Sequence, residues 1–352
     1  MSRQRFVILL VAALLAISGA LYLSSQRNRV RDTHGTPLLP SLANELNTVS
    51  ELSVRKGGAT PAVTIHKQGE QWTVAQRANY PADVSKLRKL LLALSDAKIR
   101  EEKTSNPASY SVIGVEDPSL PGAAGAQIDV LAQDGKLAVI VGKSVGQGSF
   151  VRRAGDKISY IVEPGISFEA EPRFWIDTRL LDLPTDKIQR IEVKLAAGPV
   201  YELHRVAAPG GTTGAGAPAA APFALEGVPS GRKAADSQLL APSTTAYSGL
   251  TADDVAVAGD LDFSKPSTAT LTLSDGKIVA FTGTAIGDKR WIQVTQPTDA
   301  ALTARTAGRA FEIPSYRYDA IFRPLEQLLI PKPAPAEKKN TAPKKSAAAP
   351  PS

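Results

Sequence analysis

Two stretches of this chain, residues 126 to 151 (AQIDVLAQDGKLAVIVGKSVGQGSFV) and 267 to 292 (STATLTLSDGKIVAFTGTAIGDKRWI), lie in register at a constant offset of 141 with no gap. The register places Asp134-Gly135-Lys136 on Asp275-Gly276-Lys277, Gly142 on Gly283, Gly146 on Gly287 and Phe150 on Trp291. A chain written this way is expected to fold as two like units. Its length of 352 residues, 43% of them hydrophobic, gives each unit enough apolar side chain for a core of ordinary size.

The net charge of +7 does not mark a nucleic-acid surface, because the cations sit at the ends. Arg3, Arg5, Arg27, Arg29 and Arg31 flank an apolar run, and Lys332, Lys338, Lys339, Lys344 and Lys345 stand against Glu337 alone in the tail. Residues 32 to 330 therefore carry about −2, the wrong sign for a phosphate backbone. The uncharged run 6 to 23 (FVILLVAALLAISGALYL) would span roughly 27 Å as a helix, close to the thickness of a bilayer core. Residues 1–25 are read as a membrane anchor or, with Ser18-Gly19-Ala20 as the cleavage site, a signal peptide; either carries the rest across a membrane. With no cysteine there is no lipidation site, no disulfide and no thiol nucleophile.

Residues 26–48 read as a tether, 49–187 and 188–330 as two α+β repeats, and 331–352 as a disordered Pro/Ala/Lys tail with too little apolar surface to fold. In the first repeat Leu52/Val54, Val63/Ile65 and Trp72/Val74 alternate with polar residues, which predicts three short antiparallel strands with those pairs on one face. Asp83 then caps a predicted helix through VSKLRKLLLALSDAKIREE, with Val84, Leu87, Leu90, Leu91 and Leu94 at helical spacing. A meander follows, its first turn placed at Asp134-Gly135 with both residues at positive φ. The segment 168–184 is expected to close the unit as a short helix packing Phe174, Leu180 and Leu181 on the sheet. The second repeat keeps the order, with a poorer helix at 234–250 and an inserted flexible loop at 209–222. Asp177 aligns with Asp319, and Pro172 with Pro314.

The basic N-terminus and apolar run, the Trp72-Thr73-Val74 strand end, Pro81-Ala82-Asp83 opening a leucine helix, the Ile113-Gly114-Val115-Glu116-Asp117-Pro118 stretch and the glycine-bearing meander resemble the DUF4340 family. The resemblance covers roughly residues 50 to 330. It implies a membrane-anchored envelope protein of unknown activity, often placed beside ABC transporter components as an auxiliary subunit. It supplies no functional residues, and Phe223 stands where the second repeat would carry a tryptophan.

Residues with chemical potential read better as structure. His66 and His204 occupy matching strand positions but face outward, with no second ligand two or four residues away; His34 lies in the tether. Gly142-Lys143-Ser144 resembles the end of a phosphate-binding loop, yet Leu137 stands where its first glycine belongs and a strand follows. Glu116-Asp117, Asp253-Asp254 and Asp260/Asp262 lack calcium-loop spacing and read as loop acids and caps. Trp72, Trp175 and Trp291 are read as core aromatics in preference to a ligand groove.

No catalytic, cofactor-binding or metal-binding residue is assigned. The chain is expected to be a non-enzymatic scaffold or auxiliary subunit of an ABC-type envelope complex. It would be held in the inner membrane by the N-terminal helix, with the bulk of the chain periplasmic, bound to a protein partner and not to nucleic acid. The alternative is an envelope protein binding a cell-wall saccharide or peptide in a groove between the repeats.

Overall fold

The computed structural model describes residues 17–18, 34–206 and 222–331. The apolar run 6–23, apart from Ile17 and Ser18, lies outside them, as do nearly all of the 209–222 loop and the 331–352 tail. Among the described residues no helix is long and apolar enough to cross a membrane. The molecule is α+β and its sheets are antiparallel. It divides into two compact units, Met1–Thr178 with Asp253–Ala258, and Arg179–Ala252 with Gly259–Ser352.

The first unit opens with helix α1 (Leu42–Glu45) and a 3-10 turn at Leu46–Thr48. Its strands are β1 (Glu51–Arg55), β2 (Val63–Gln68), β3 (Gln71–Val74), β4 (Tyr80–Pro81), β5 (Lys98–Glu102), β6 (Ala126–Ala132), β7 (Gly135–Val145), β8 (Gly148–Arg153) and β9 (Ser159–Glu163). They form one sheet in the order β4-β3-β2-β1-β6-β7-β8-β9-β5. Register pairs Leu52 with Ile65 on one side and Val130 on the other, and Val54 with Val63 and Ile128. All of these side chains are buried, so period-2 patterning places the core face.

Helix α2 (Val84–Asp96) covers that face with Leu87, Leu90, Leu91 and Leu94, each worth about 1.5–3 kcal/mol when fully buried. Asp83 caps it, its carboxylate accepting from the Ser85 and Lys86 amides at 2.9 and 3.3 Å. Two expectations fail here. Val84 is exposed, and the helix ends at Asp96, after which Lys98–Glu102 becomes β5, an edge strand against β9. The charged KIREE run suits such an edge, where Ile99 packs inward and its neighbours meet solvent. Helix α3 (Tyr110–Ile113) then leads into the turn at Gly114.

The meander forms as read, but not its first turn. Ala132 pairs with Gly135, so Gln133-Asp134 make the turn and Gly135 alone takes positive φ, at 124°. The closing segment is a 3-10 turn at Pro172–Trp175, and it presents Trp175 to the core where Phe174 was expected. Phe174 lies outward, its ring edge-on to Trp175 and under the Lys86 ammonium at 4.5 Å. Consecutive residues of an extended or 3-10 segment cannot share one face, and Trp175 takes the buried one, with Nε1 donating to the Glu169 carbonyl at 2.9 Å.

The second unit contains β10 (Arg179–Leu181), β11 (Ile188–Lys194), β12 (Tyr201–Arg205), β13 (Phe223–Glu226) and β14 (Leu250–Thr251). Strand β15 (Asp254–Val257) falls in the segment grouped with the first unit. Next come β16 (Ser267–Leu273), β17 (Ile278–Ile286), β18 (Lys289–Gln296) and β19 (Arg309–Glu312). The sheet order is β13-β12-β11-β16-β17-β18-β19, and β10 pairs separately with β14. Helix α4 (Ser237–Thr245) carries Pro242 inside it and buries Leu240, Ser243 and Thr244. Helices α5 (Ala300–Thr306) and α6 (Ser315–Ile321), with a 3-10 turn at Leu325–Leu328, close the unit around Phe281, Phe311 and Leu328.

Candidate functional site

The β2–β3 hairpin brings Lys67 and Trp72 to a groove shared with α2. Ile65 pairs with Val74 and is fully buried, whereas the next residues on the same face, Lys67 and Trp72, lie opposite one another nearer the turn. Trp72 is therefore only half-buried, a correction to its reading as a core aromatic. Its ring helps line a groove of 310 Å³, walled by Leu46 and Val49 on one side and by Leu87, Leu91 and Leu92 of α2 on another. Lys67 and Arg88 are its charged lining residues, and no acid is among them. Lys67 reaches Glu70 only at 4.0 Å, and no ion pair to Arg88 is found among the described residues. An apolar floor under two cations suits a ligand with an apolar face and a carboxylate.

A second groove, of 450 Å³, lies in the second unit, lined by Pro242, Ala246, Tyr316, Arg317, Asp319 and Arg323, among others. Its guanidinium groups already have work within the fold. Arg317 donates to the Thr245 and Ala246 carbonyls at 3.2 and 3.3 Å, and Arg323 to the Leu239 carbonyl at 3.0 Å. Thr245 and Ala246 stand at the end of α4, where carbonyls run out of intrahelical donors. The groove in the first unit is the better candidate because its cations are not engaged in this way.

The other residues singled out by sequence lie apart from this groove. His66 and His204 do face outward on β2 and β12; His66 lies 2.8 Å from the Gln68 amide, and His204 3.5 Å from the Glu226 carboxylate. Among the described residues no three His, Asp or Glu side chains converge as a metal site. Gly142-Lys143-Ser144 lie inside β7, and the Lys143 ammonium donates to the Val112 carbonyl at 2.7 Å. Glu116 accepts from the Ala124 amide and Asp117 from the Ser119 amide, and the latter bond holds the Asp117 carboxyl below its ordinary range. Asp262 likewise caps the Ser264 amide. Asp254 pairs with Arg77. His34, Asp253 and Asp260 are exposed. Trp175 and Trp291 are buried, as read. The groove itself had a sequence signal: Val84, Arg88 and Leu92 share a helical stripe distinct from the leucine stripe.

No curated protein and no solved structure matches the chain. The family model described as a domain of unknown function (DUF4340) matches residues 72–272, from Trp72 of the groove through α2 and the first meander into β16. That is more than half of the chain, which belongs to the DUF4340 family.

Proposed function

We propose that the protein is a non-enzymatic, membrane-anchored extracytoplasmic scaffold, an auxiliary subunit of an ABC-type transport complex in the cell envelope. The observation that carries this reading is the contrast between its polar groups and its groove. The carboxylates and histidines singled out by sequence cap turns, pair with arginines or face solvent, whereas Trp72, Arg88 and Leu92 offer an apolar, basic surface suited to a protein. The family resemblance supplies the partner class, and the apolar run 6–23 supplies the anchor.

We also read the two units as a tandem duplication. Supporting this are the 141-residue offset, the sheet orders β3-β2-β1-β6-β7-β8-β9 and β13-β12-β11-β16-β17-β18-β19, and the positive φ shared by Gly146 and Gly287. The test is affinity capture of the full chain from detergent extract. Recovery of ABC transporter subunits is expected, and recovery of no transporter or envelope subunit overturns the scaffold reading. The half-buried Trp72 favours one second reading, a binder of cell-wall peptide or saccharide. That reading requires wall fragments to raise the melting temperature of the full chain in a concentration-dependent way, and a flat response retires it.

A further inference from the structure

We propose that the groove of the first unit docks an acidic amphipathic helix of the partner protein. The proposal rests on the scaffold reading above and names the surface that reading would use. Helix α2 presents two distinct stripes. Leu87, Leu90, Leu91 and Leu94 face the sheet, while Val84, Arg88 and Leu92, at i, i+4 and i+8, form a second stripe. Val84 is 45% and Leu92 44% exposed. Trp72 stands beside this stripe as the large half-covered aromatic of the groove, with Leu46 and Val49 completing the apolar wall. Interface energy concentrates in Trp and Arg ringed by apolar contacts, and a helix laid into such a groove is a recurring recognition mode.

Charge selects the partner. Lys67 and Arg88 line the groove with no carboxylate among its residues. Lys86, Arg88 and Lys89 crowd the first two turns of α2, and its first turn holds no acid. Cations at that end oppose the helix dipole, so helix stability favours the reverse arrangement. Lys86 is engaged within the fold, donating to the Phe174 carbonyl at 2.7 Å and lying 3.6 Å from the Asp83 carboxylate; Arg88, with Lys67 across the groove, is left to complement a negatively charged partner face, which steers encounter and fixes register.

The test uses the full chain and two fluorescently labelled amphipathic peptides of about 18 residues, with one leucine stripe in common and either Glu or Lys on the polar faces. The Glu peptide is expected to bind saturably, at least about tenfold tighter than the Lys peptide, and Arg88→Glu to invert that preference. Arg88 is exposed, so the variant should fold, which circular dichroism checks. Leu92→Asp, also on the surface, should weaken the Glu peptide by about tenfold or more. Failure of the Glu peptide to bind, equal affinity for both peptides, or indifference to Arg88→Glu overturns the proposal. So does binding to phosphatidylglycerol vesicles that Arg88→Glu abolishes while the peptides are not discriminated, which would assign the surface to a membrane. If affinity capture recovers transporter subunits equally with wild type and Arg88→Glu, the scaffold reading stands and the groove fails. Discrimination between the peptides with no subunit recovered keeps the groove and removes the transporter.

Discussion

A methyl group on Gly142 would stand 2.3 Å from the Ile113 carbonyl oxygen and 2.8 Å from that of Gly114. These are backbone atoms, unable to move without shifting the segment that crosses β7. At the aligned position, a methyl on Gly283 would meet the Phe322 ring at 2.2 Å and the Tyr318 ring at 2.9 Å, side chains that can yield. Gly142→Ala should therefore destabilise by about 1–3 kcal/mol, and by more than Gly283→Ala, in paired denaturant titrations. The repeat register made both glycines conspicuous, but one-letter patterning cannot say that one admits a backbone and the other an aromatic pair.

Tyr247 is fully buried beside Phe281, its hydroxyl without a hydrogen-bond partner among the described residues. Burial pushes its pKa well above 10.0, and that of Tyr201 upward as well. The folded state thus holds the phenolic proton more tightly than the unfolded chain. Stability is fully present below about pH 10 and is lost as pH rises from there toward the folded pKa. Tyr247→Phe is expected to shallow the loss of melting temperature above pH 10. At neutral pH it should raise stability by about 1 kcal/mol, because it removes a hydroxyl that is desolvated without compensation.

At the scale of elements, α2 is set up by its cap. Three cations in its first two turns act against the dipole, and Asp83 answers them twice, accepting two amides and lying 3.6 Å from the Lys86 ammonium. Asp83→Ala should cost about 1 kcal/mol, read as a lower melting temperature, and Asp83→Asn should cost less because it keeps the cap. The strands and this helix were legible because burial on one face writes a period of 2 or 3.6 into the chain, as at Leu52/Val54 and Leu87/Leu91. The end of α2 was not, since the Lys98–Glu102 run fits either a solvated helical turn or an edge strand, and only pairing with β9 decides. Helix α5 and strand β19 are not legible because Ala300–Thr306 and Arg309–Glu312 are too short to write a period into the sequence. Trp72 has the parity of a core residue yet is half-buried, because parity gives the face and not the depth of cover.

At the scale of the whole molecule, order along the chain and membership of a unit part company at Asp253–Ala258, six residues from the second half that belong to the first unit. Asp254 pairs there with Arg77, whose side chain is 21% exposed against 12% for the carboxylate, and the adjacent Val255 is buried. A first unit excised without Asp253–Ala258 loses this carboxylate and leaves the Arg77 guanidinium partly buried without it. Breaking such a pair from one side is costly, although partial exposure brings the cost here to about 2 kcal/mol, below that of a fully buried pair. Loss of Val255 from its buried site adds about 1.5 kcal/mol. Fragment 34–187 is therefore expected to exchange amide hydrogens across Ala75–Ala82 faster than the full chain, with Asp254→Ala in the full chain reproducing part of the effect. Arg77→Met combined with Asp254→Leu should restore protection toward wild type, since a well-packed apolar pair replaces a buried ion pair at little cost. Equal protection of this segment in fragment and full chain would show that the first unit stands without the borrowed segment.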